Sequence, residues 1–150
     1  MYDIIFVCTG NTCRSPMAEA IAKSMMPKLK FASMGVAASN GIPASENACK
    51  AVEAWGLNLA SHKSKMIDHK LLKSAKLVLT MTEAHLSVVK FFCKNANAFT
   101  LAEYVGKDRD ISDPFGGDMK MYIDCAKEIE SLVSLVAKKV MNAVLVTNGS

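Results

Sequence analysis

Arginine is almost absent from this chain of 150 residues: of its 18 basic side chains only Arg14 and Arg109 are arginine, leaving 16 lysines. The lysines are spread along the whole length among 14 acidic residues, for a net charge of +4. A general nucleic-acid binder uses arginine freely and clusters its basic residues, so the composition excludes that partner class. Proline (4), glycine (8) and tryptophan (1) are also sparse, which rules out collagen-like and low-complexity sequence. Long hydrophobic runs are missing as well. The opening apolar stretch, Ile4-Ile5-Phe6-Val7, follows Met1-Tyr2-Asp3 with no basic flank and is too short for a signal sequence or a membrane span. Neither terminus matches a lipid-anchor motif. The 5 cysteines are odd in number and irregularly spaced, which does not read as a secreted disulfide framework. The expectation is a reduced cytoplasmic protein with no membrane partner. Its 51% apolar content is enough for one domain spanning 1–150 around a real core.

The order of elements follows from apolar period and punctuation. Tyr2 to Val7 reads as a buried strand ending in a Thr-Gly-Asn loop, and Pro16 opens a helix continued by Met17, Ala20 and Ile21. A second strand is expected over Phe31–Val36, then a helix after Pro43 through Ala48, Ala51, Val52 and Trp55, stopped by Gly56. Asp68–Ala75 predicts a short helix and Lys76–Met81 a third strand. Thr82 then caps a helix from Glu83 to Phe91. Ala98–Leu101 predicts a fourth strand. After the Asp-, Gly- and Pro-rich loop from Gly106 to Gly117, Asp118 caps a last helix that carries Tyr122, Cys125, Ile129, Leu132, Val136 and Val140 on one face. Alternating strands and helices imply an α/β fold with a parallel sheet covered on both faces, and a site at the carboxyl ends of the strands.

One arginine falls where lysine could not replace it. Directly after the first strand comes Cys8-Thr9-Gly10-Asn11-Thr12-Cys13-Arg14-Ser15. A loop between a strand end and a helix N-terminus turns its N–H groups inward and forms a nest for a tetrahedral anion. Gly10 and Asn11 are expected to supply positive φ. Cys8, facing those donors and a guanidinium, is favoured as a thiolate nucleophile. Arg14 offers a planar fork for two phosphate oxygens, which the point charge of lysine does not. Ser15 can hydrogen-bond the thiolate and ease its departure. A covalent phospho-cysteine route also needs an acid that later serves as a base. Asp113-Pro114 supplies one, with Phe115 as a substrate wall and Gly116-Gly117 as a hinge.

The run V-C-T-G-N-T-C-R-S-P-M from Val7 to Met17, with Asp113-Pro114-Phe115 far downstream, resembles the low-molecular-weight protein tyrosine phosphatases over essentially the whole chain. The resemblance implies a four-stranded parallel sheet flanked by helices in three layers, with no metal and no cofactor. It implies Cys8 as nucleophile, Arg14 as phosphate-binding residue and Asp113 as general acid. Asn11, Ser15, Ser33 and His62 match the supporting hydrogen-bond network of the loop, and Thr9, Gly10, Asn11, Thr12, Cys13 and Ser15 are implied to bind the phosphate. The implied partners are a phosphorylated protein or peptide and inorganic phosphate or similar anions.

Within the family, the C-T-G-N-T-C-R-S-P-M run, the F-T-L-x-E-Y-V stretch from Phe99 to Val105 and the D-P-F-G-G of Asp113–Gly117 resemble the bacterial protein arginine phosphatases. Tyrosine-specific members usually carry a bulky aliphatic residue at the position of Thr12. A threonine hydroxyl suits a polar guanidino group, so the expected substrate is phosphoarginine, with phosphotyrosine as the alternative. Lys65, where the family often has Arg, and Met34, where a small residue is usual, depart from the pattern.

Blander readings stand beside these. Cys13 is either a small buried side chain or the thiol that captures oxidised Cys8 as a disulfide. Cys49, Cys93 and Cys125 lie in helical patterns and are expected in the core. His69 and His85 are expected to face solvent, Trp55 to anchor packing, and most of the 10 methionines to fill core gaps. Asp108 and Asp110 read as exposed partners of Arg109, with Asp110 the fallback acid. A thiol-based arsenate reductase needs further redox cysteines near Met81–Glu83, where none occurs. A phosphocarrier subunit would not need Arg14 or Asp113, and a mere phosphate-binding module would bind without turnover.

Overall fold

A computed structural model describes the backbone of residues 1–148 and the side chains as far as residue 143. Residues 149 and 150 of the expected 1–150 domain lie outside the described residues. The strands are β1 (Ile4–Cys8), β2 (Phe31–Gly35), β3 (Leu77–Thr80) and β4 (Ala98–Thr100). The helices are α1 (Arg14–Met25), α2 (Glu46–Glu53), α3 (His69–Ser74), α4 (Glu83–Phe92), α5 (Leu101–Tyr104) and α6 (Met119–Asn148).

All strand pairs are parallel and the sheet order is β2-β1-β3-β4. Each of the five residues of β1 is buried, as a central parallel strand requires. Alternation along β1 sorts its side chains into two layers. Ile4, Phe6 and Cys8 join the larger core, with Met17 and Ile21 of α1, Ala48 and Val52 of α2, and Ile129, Leu132, Val133 and Val136 of α6. Ile5 and Val7 point the other way and pack with Leu72 of α3 and with Leu86 and Val89 of α4. The chain winds from β1 to β2 on one side and continues through β3 on the other, so the order reverses between β1 and β3. The crevice outside the carboxyl ends of these strands is where such sheets bind ligands.

The expected α/β architecture is observed, with shifts at the element ends. The first strand begins at Ile4 and takes in Cys8, and its helix begins two residues before Pro16. Thr82 accepts from the His85 N–H and Asp118 from the Met121 N–H, so both expected caps are in place. Two expectations fail here. Trp55 is 39% exposed, because α2 ends at Glu53 and the turn at Gly56 (φ 72°) leaves the indole beyond the buried face of Ala48, Ala51 and Val52. The helix α5 was not anticipated: four residues give no periodicity, although Thr100 accepts from the Glu103 N–H in the T-x-x-E pattern of a helix start. Among the described residues no helix is long and apolar enough to cross a membrane.

Candidate active site

The loop from Thr9 to Cys13 is shaped by where its carbonyl groups are tied. The Cys8 carbonyl accepts from the Val36 N–H at 2.9 Å, that of Thr9 from Ala37 at 2.9 Å and that of Thr12 from Ser45 at 2.9 Å. The Asn11 carbonyl accepts from Nε2–H of His62 at 2.7 Å. Across a trans peptide the following N–H points the opposite way. No peptide bond among the described residues is cis, so the N–H groups of Thr9, Gly10, Thr12 and Cys13 turn into the loop. This is the anion nest expected at a helix N-terminus.

The left-handed turn in the loop is made by Asn11 alone, at φ 57°. Gly10 keeps a negative φ, contrary to expectation, and a Cβ there would meet nothing closer than 3.7 Å. Asn11 holds its turn because its side chain is fully used. Its Nδ2 donates to Ser15 Oγ at 2.8 Å and to Ser33 Oγ at 2.9 Å, and its Oδ1 accepts from the Lys65 N–H at 2.9 Å. These bonds offset the cost of a left-handed conformation in a non-glycine residue. The glycine the loop does require is Gly35, at the end of β2: a Cβ there would lie 2.5 Å from the Thr9 carbonyl oxygen and 2.9 Å from the Asn11 nitrogen.

Cys8 and Ser15 meet on the inner side, with Sγ and Oγ 2.8 Å apart. Because Ser15 Oγ already accepts from Asn11, and the Met34 carbonyl is a distant 3.5 Å, its proton is directed to the sulfur. Arg14 is only 4% exposed. Its Nη1 donates to the Ile111 carbonyl at 2.8 Å, while Nη2 lies 3.4 Å from Thr9 Oγ1 and 3.5 Å from Asp113 Oδ2. Asp113 is half exposed, and its Oδ1 accepts from the Phe115 N–H at 3.1 Å, which fixes the carboxyl over the guanidinium. Cys8, Thr9, Gly10, Thr12, Cys13, Arg14, Asp113 and Phe115 together line a cavity of about 220 Å³. Phe115 is 76% exposed and forms its outer wall.

Ser33 and His62 therefore sit behind the loop, both bonded to Asn11, as the family resemblance implied. Asp110 does not face the cavity: its Oδ1 accepts from the Glu83 N–H at the start of α4. Arg109 pairs with Glu128 at 3.4 Å. Cys13 is a free thiol, like Cys8, with its sulfur 3.3 Å from Ser45 Oγ and 3.5 Å from the Tyr122 hydroxyl. Burial, and the bond to Cys13, push the Tyr122 phenol up to about 12, so it stays protonated. Burial likewise raises the Cys125 thiol to about 12. Cys93 is buried at the end of α4, about 15 Å of helix away from the α4 N-terminus.

His85 was expected in solvent and is instead 5% exposed. It lies in the first turn of α4, with Nε2 2.8 Å from Thr9 Oγ1. Burial first, and then the positive charge of Arg14, lower its pKa to about 4, so the ring is neutral at physiological pH.

A sheet of this order, with a thiol, a guanidinium and a carboxyl gathered over an anion nest, defines a site built for a phosphoryl group. Comparison with known proteins carries this further. Residues 3–145 match the low molecular weight phosphotyrosine protein phosphatase family, and the chain belongs to it. It is 42% identical over 144 residues to the protein-arginine-phosphatase of Bacillus subtilis, covering 91% of this chain and 95% of that protein. It is 39% identical over 137 residues to the low molecular weight protein-tyrosine-phosphatase PtpB of Staphylococcus epidermidis, covering 91% and 97%. The solved structure of the YwlE arginine phosphatase from Geobacillus stearothermophilus superposes with a TM-score of 0.91 at 38% identity, covering 97% of this chain and 96% of that one.

Proposed function

We propose that this phosphatase acts on phosphoarginine in proteins or peptides, through a phospho-cysteine intermediate, as a single cytoplasmic domain without a cofactor. The observation that carries the substrate reading is Thr12, which lines the cavity together with Cys8. A hydroxyl at that wall can hydrogen-bond a guanidino group, whereas the aliphatic residue usual in tyrosine-specific relatives matches a phenyl ring.

In this mechanism the Cys8 thiolate attacks phosphorus as the P–N bond breaks, and Asp113 gives its proton to the departing guanidine nitrogen. Arg14 and the inward N–H groups hold the equatorial oxygens, whose charge they match best in the transition state. Asp113, now a carboxylate, takes a proton from water as that water attacks the phospho-cysteine. The S–P bond then breaks, inorganic phosphate leaves, and Ser15 stabilises the returning thiolate through its hydrogen bond. The Phe115 N–H, and the Arg14 guanidinium 3.5 Å away, hold the Asp113 carboxyl at the mouth of the cavity where the leaving group emerges.

The test is the ratio of kcat/KM for phosphoarginine and phosphotyrosine peptides, together with p-nitrophenyl phosphate hydrolysis by variants. The expected ratio favours phosphoarginine and shifts toward phosphotyrosine in Thr12→Ile. Cys8→Ser is expected to be inactive, and Asp113→Ala slowed by 100-fold or more, on the order of a lost general acid. Equal or better turnover of phosphotyrosine, unchanged by Thr12→Ile, overturns the substrate reading. Activity retained by Cys8→Ser overturns the mechanism. Phosphotyrosine is the second reading, favoured by the tyrosine-phosphatase names among relatives of nearly equal identity.

We further propose a protective role for Cys13. When peroxide converts Cys8 to a sulfenic acid, the Cys13 thiol attacks that sulfur and expels water, leaving a disulfide that dithiothreitol reduces. Peroxide-treated wild type is then expected to regain activity with dithiothreitol, and Cys13→Ser to lose it for good. Equal recovery by both removes the role.

A further inference from the structure

The phosphate-gripping nitrogen of Arg14 has an inner partner that the mechanism above does not use. Nη1 is anchored on the Ile111 carbonyl, but among the described residues Nη2 is held only by Thr9 Oγ1 and by the half-exposed Asp113. Thr9 is itself an exposed loop residue, and on its own its hydroxyl could rotate freely. It is fixed by His85, whose buried ring reaches across from α4 with Nε2 at 2.8 Å.

The other ring nitrogen shows which way the proton lies. Nδ1 of His85 is buried and has no hydrogen-bond partner. A neutral imidazole carries one proton. On Nδ1 it would be a donor stranded out of water, while Nε2 has a hydroxyl oxygen in reach, so the proton is best placed on Nε2. Thr9 Oγ1 then accepts twice, from His85 and from Arg14, and its own proton is turned toward the cavity it lines. A protonated ring would place a second buried cation behind Arg14, and the low pKa of His85 matches this arrangement.

We propose that His85 is a positioning residue: acting through Thr9, it fixes Arg14 Nη2 and aims the Thr9 hydroxyl as an additional donor to the bound phosphoryl group. The inference rests on the reading of Arg14 as the phosphate-binding residue. It adds α4 to the elements that build the site, although His85 itself does not touch the phosphoryl group.

The test compares wild type, His85→Leu, His85→Gln, Thr9→Val and the His85→Leu/Thr9→Val double variant. The readouts are kcat/KM for p-nitrophenyl phosphate and the competitive inhibition constant of inorganic phosphate. His85→Leu and Thr9→Val are each expected to lower kcat/KM about tenfold and to weaken phosphate binding, and the double variant to do no worse than the poorer single one. Glutamine carries an amide N–H about as far from the backbone as Nε2, so His85→Gln is expected to stay within about threefold of wild type. A merely structural histidine gives a different pattern, in which losses multiply in the double variant and glutamine is no better than leucine. That pattern overturns the proposal, as does wild-type kcat/KM in His85→Leu. If His85→Leu does not fold, Thr9→Val at its exposed position decides alone: wild-type rate and phosphate affinity there overturn the proposal. A wild type without phosphatase activity defeats the reading of function instead, and the proposal is then judged by calorimetric phosphate binding across the same variants.

Discussion

Asn11 shows how much a single side chain can carry. It takes the left-handed turn, bonds two serines and the Lys65 amide, and gives its carbonyl to His62. The sequence allowed for this, since Asn is among the few residues that tolerate such a turn, but it shared the work with Gly10, which the structure relieves of it. Cys8, Arg14 and Asp113 do meet in one cavity; the thiol-to-arginine spacing is a weak signal alone, and it was the strand–loop–helix context and the family resemblance that pointed to them. Nothing of the kind pointed to His85. A lone histidine three residues after a Thr cap looks like any exposed helix residue, and only the packing of α4 beside the loop turns it inward. Its burial has a measurable consequence. The folded pKa is about 4, below the ordinary value of 6.5, so as pH falls the unfolded chain takes up this proton first. Stability is therefore lost between about pH 6.5 and pH 4. Thermal melts at pH 7 and pH 5 are expected to show a larger drop in Tm for wild type than for His85→Gln; equal drops would show that His85 is not the group responsible.

Elements were read mainly from their ends. Ser45, Asp68, Thr82 and Thr100 each accept from the N–H three residues on, and the helices they open follow at once. Thr82 and Asp118 were visible in advance as caps, because a periodic apolar run follows each, whereas Asp68 was read as the first residue of its helix and is in fact the cap. The helix behind Thr100 was missed because it is over within one turn. Gly35 was passed over for another reason: nothing near it in sequence reveals that the end of β2 lies against the backbone of the phosphate loop. With the Thr9 carbonyl 2.5 Å from where a Cβ would stand, Gly35→Ala has to push the loop away. The expected result is a loss of about 1–3 kcal/mol in stability, as for other overpacked sites. Hydrolysis of p-nitrophenyl phosphate is expected to fall by tenfold or more. A Gly35→Ala protein with the wild-type urea midpoint and rate would show that the contact is not a constraint.

On the scale of the whole molecule, strand and helix alternation foretold the parallel sheet, and the two faces of β1 sort the apolar residues into two cores. The side closed by α1, α2 and α6 is the larger, and Ile129 is completely buried within it. Ile129→Ala is expected to cost about 2–5 kcal/mol. It should leave the ratio of phosphoarginine to phosphotyrosine turnover unchanged, because the residue does not line the cavity; a shifted ratio in kinetic assays would tie substrate choice to the packing of α6. Arg109, the second of the two arginines, joins its loop to α6 through Glu128, a pairing no local pattern announced. The outward-tied carbonyls of the phosphate loop bear on how such a protein comes into being. Their partners and those of the residues they position lie at 33, 36, 37, 45, 62, 65, 85, 111 and 113, although the loop itself ends at residue 13. A growing polypeptide thus presents the Cys8 thiol long before the residues that shape the loop around it. If Arg14 and Asp113 act as proposed, the site is complete only once the last third of the chain has arrived, so recovery of activity after denaturant dilution is expected to lag behind the return of helix.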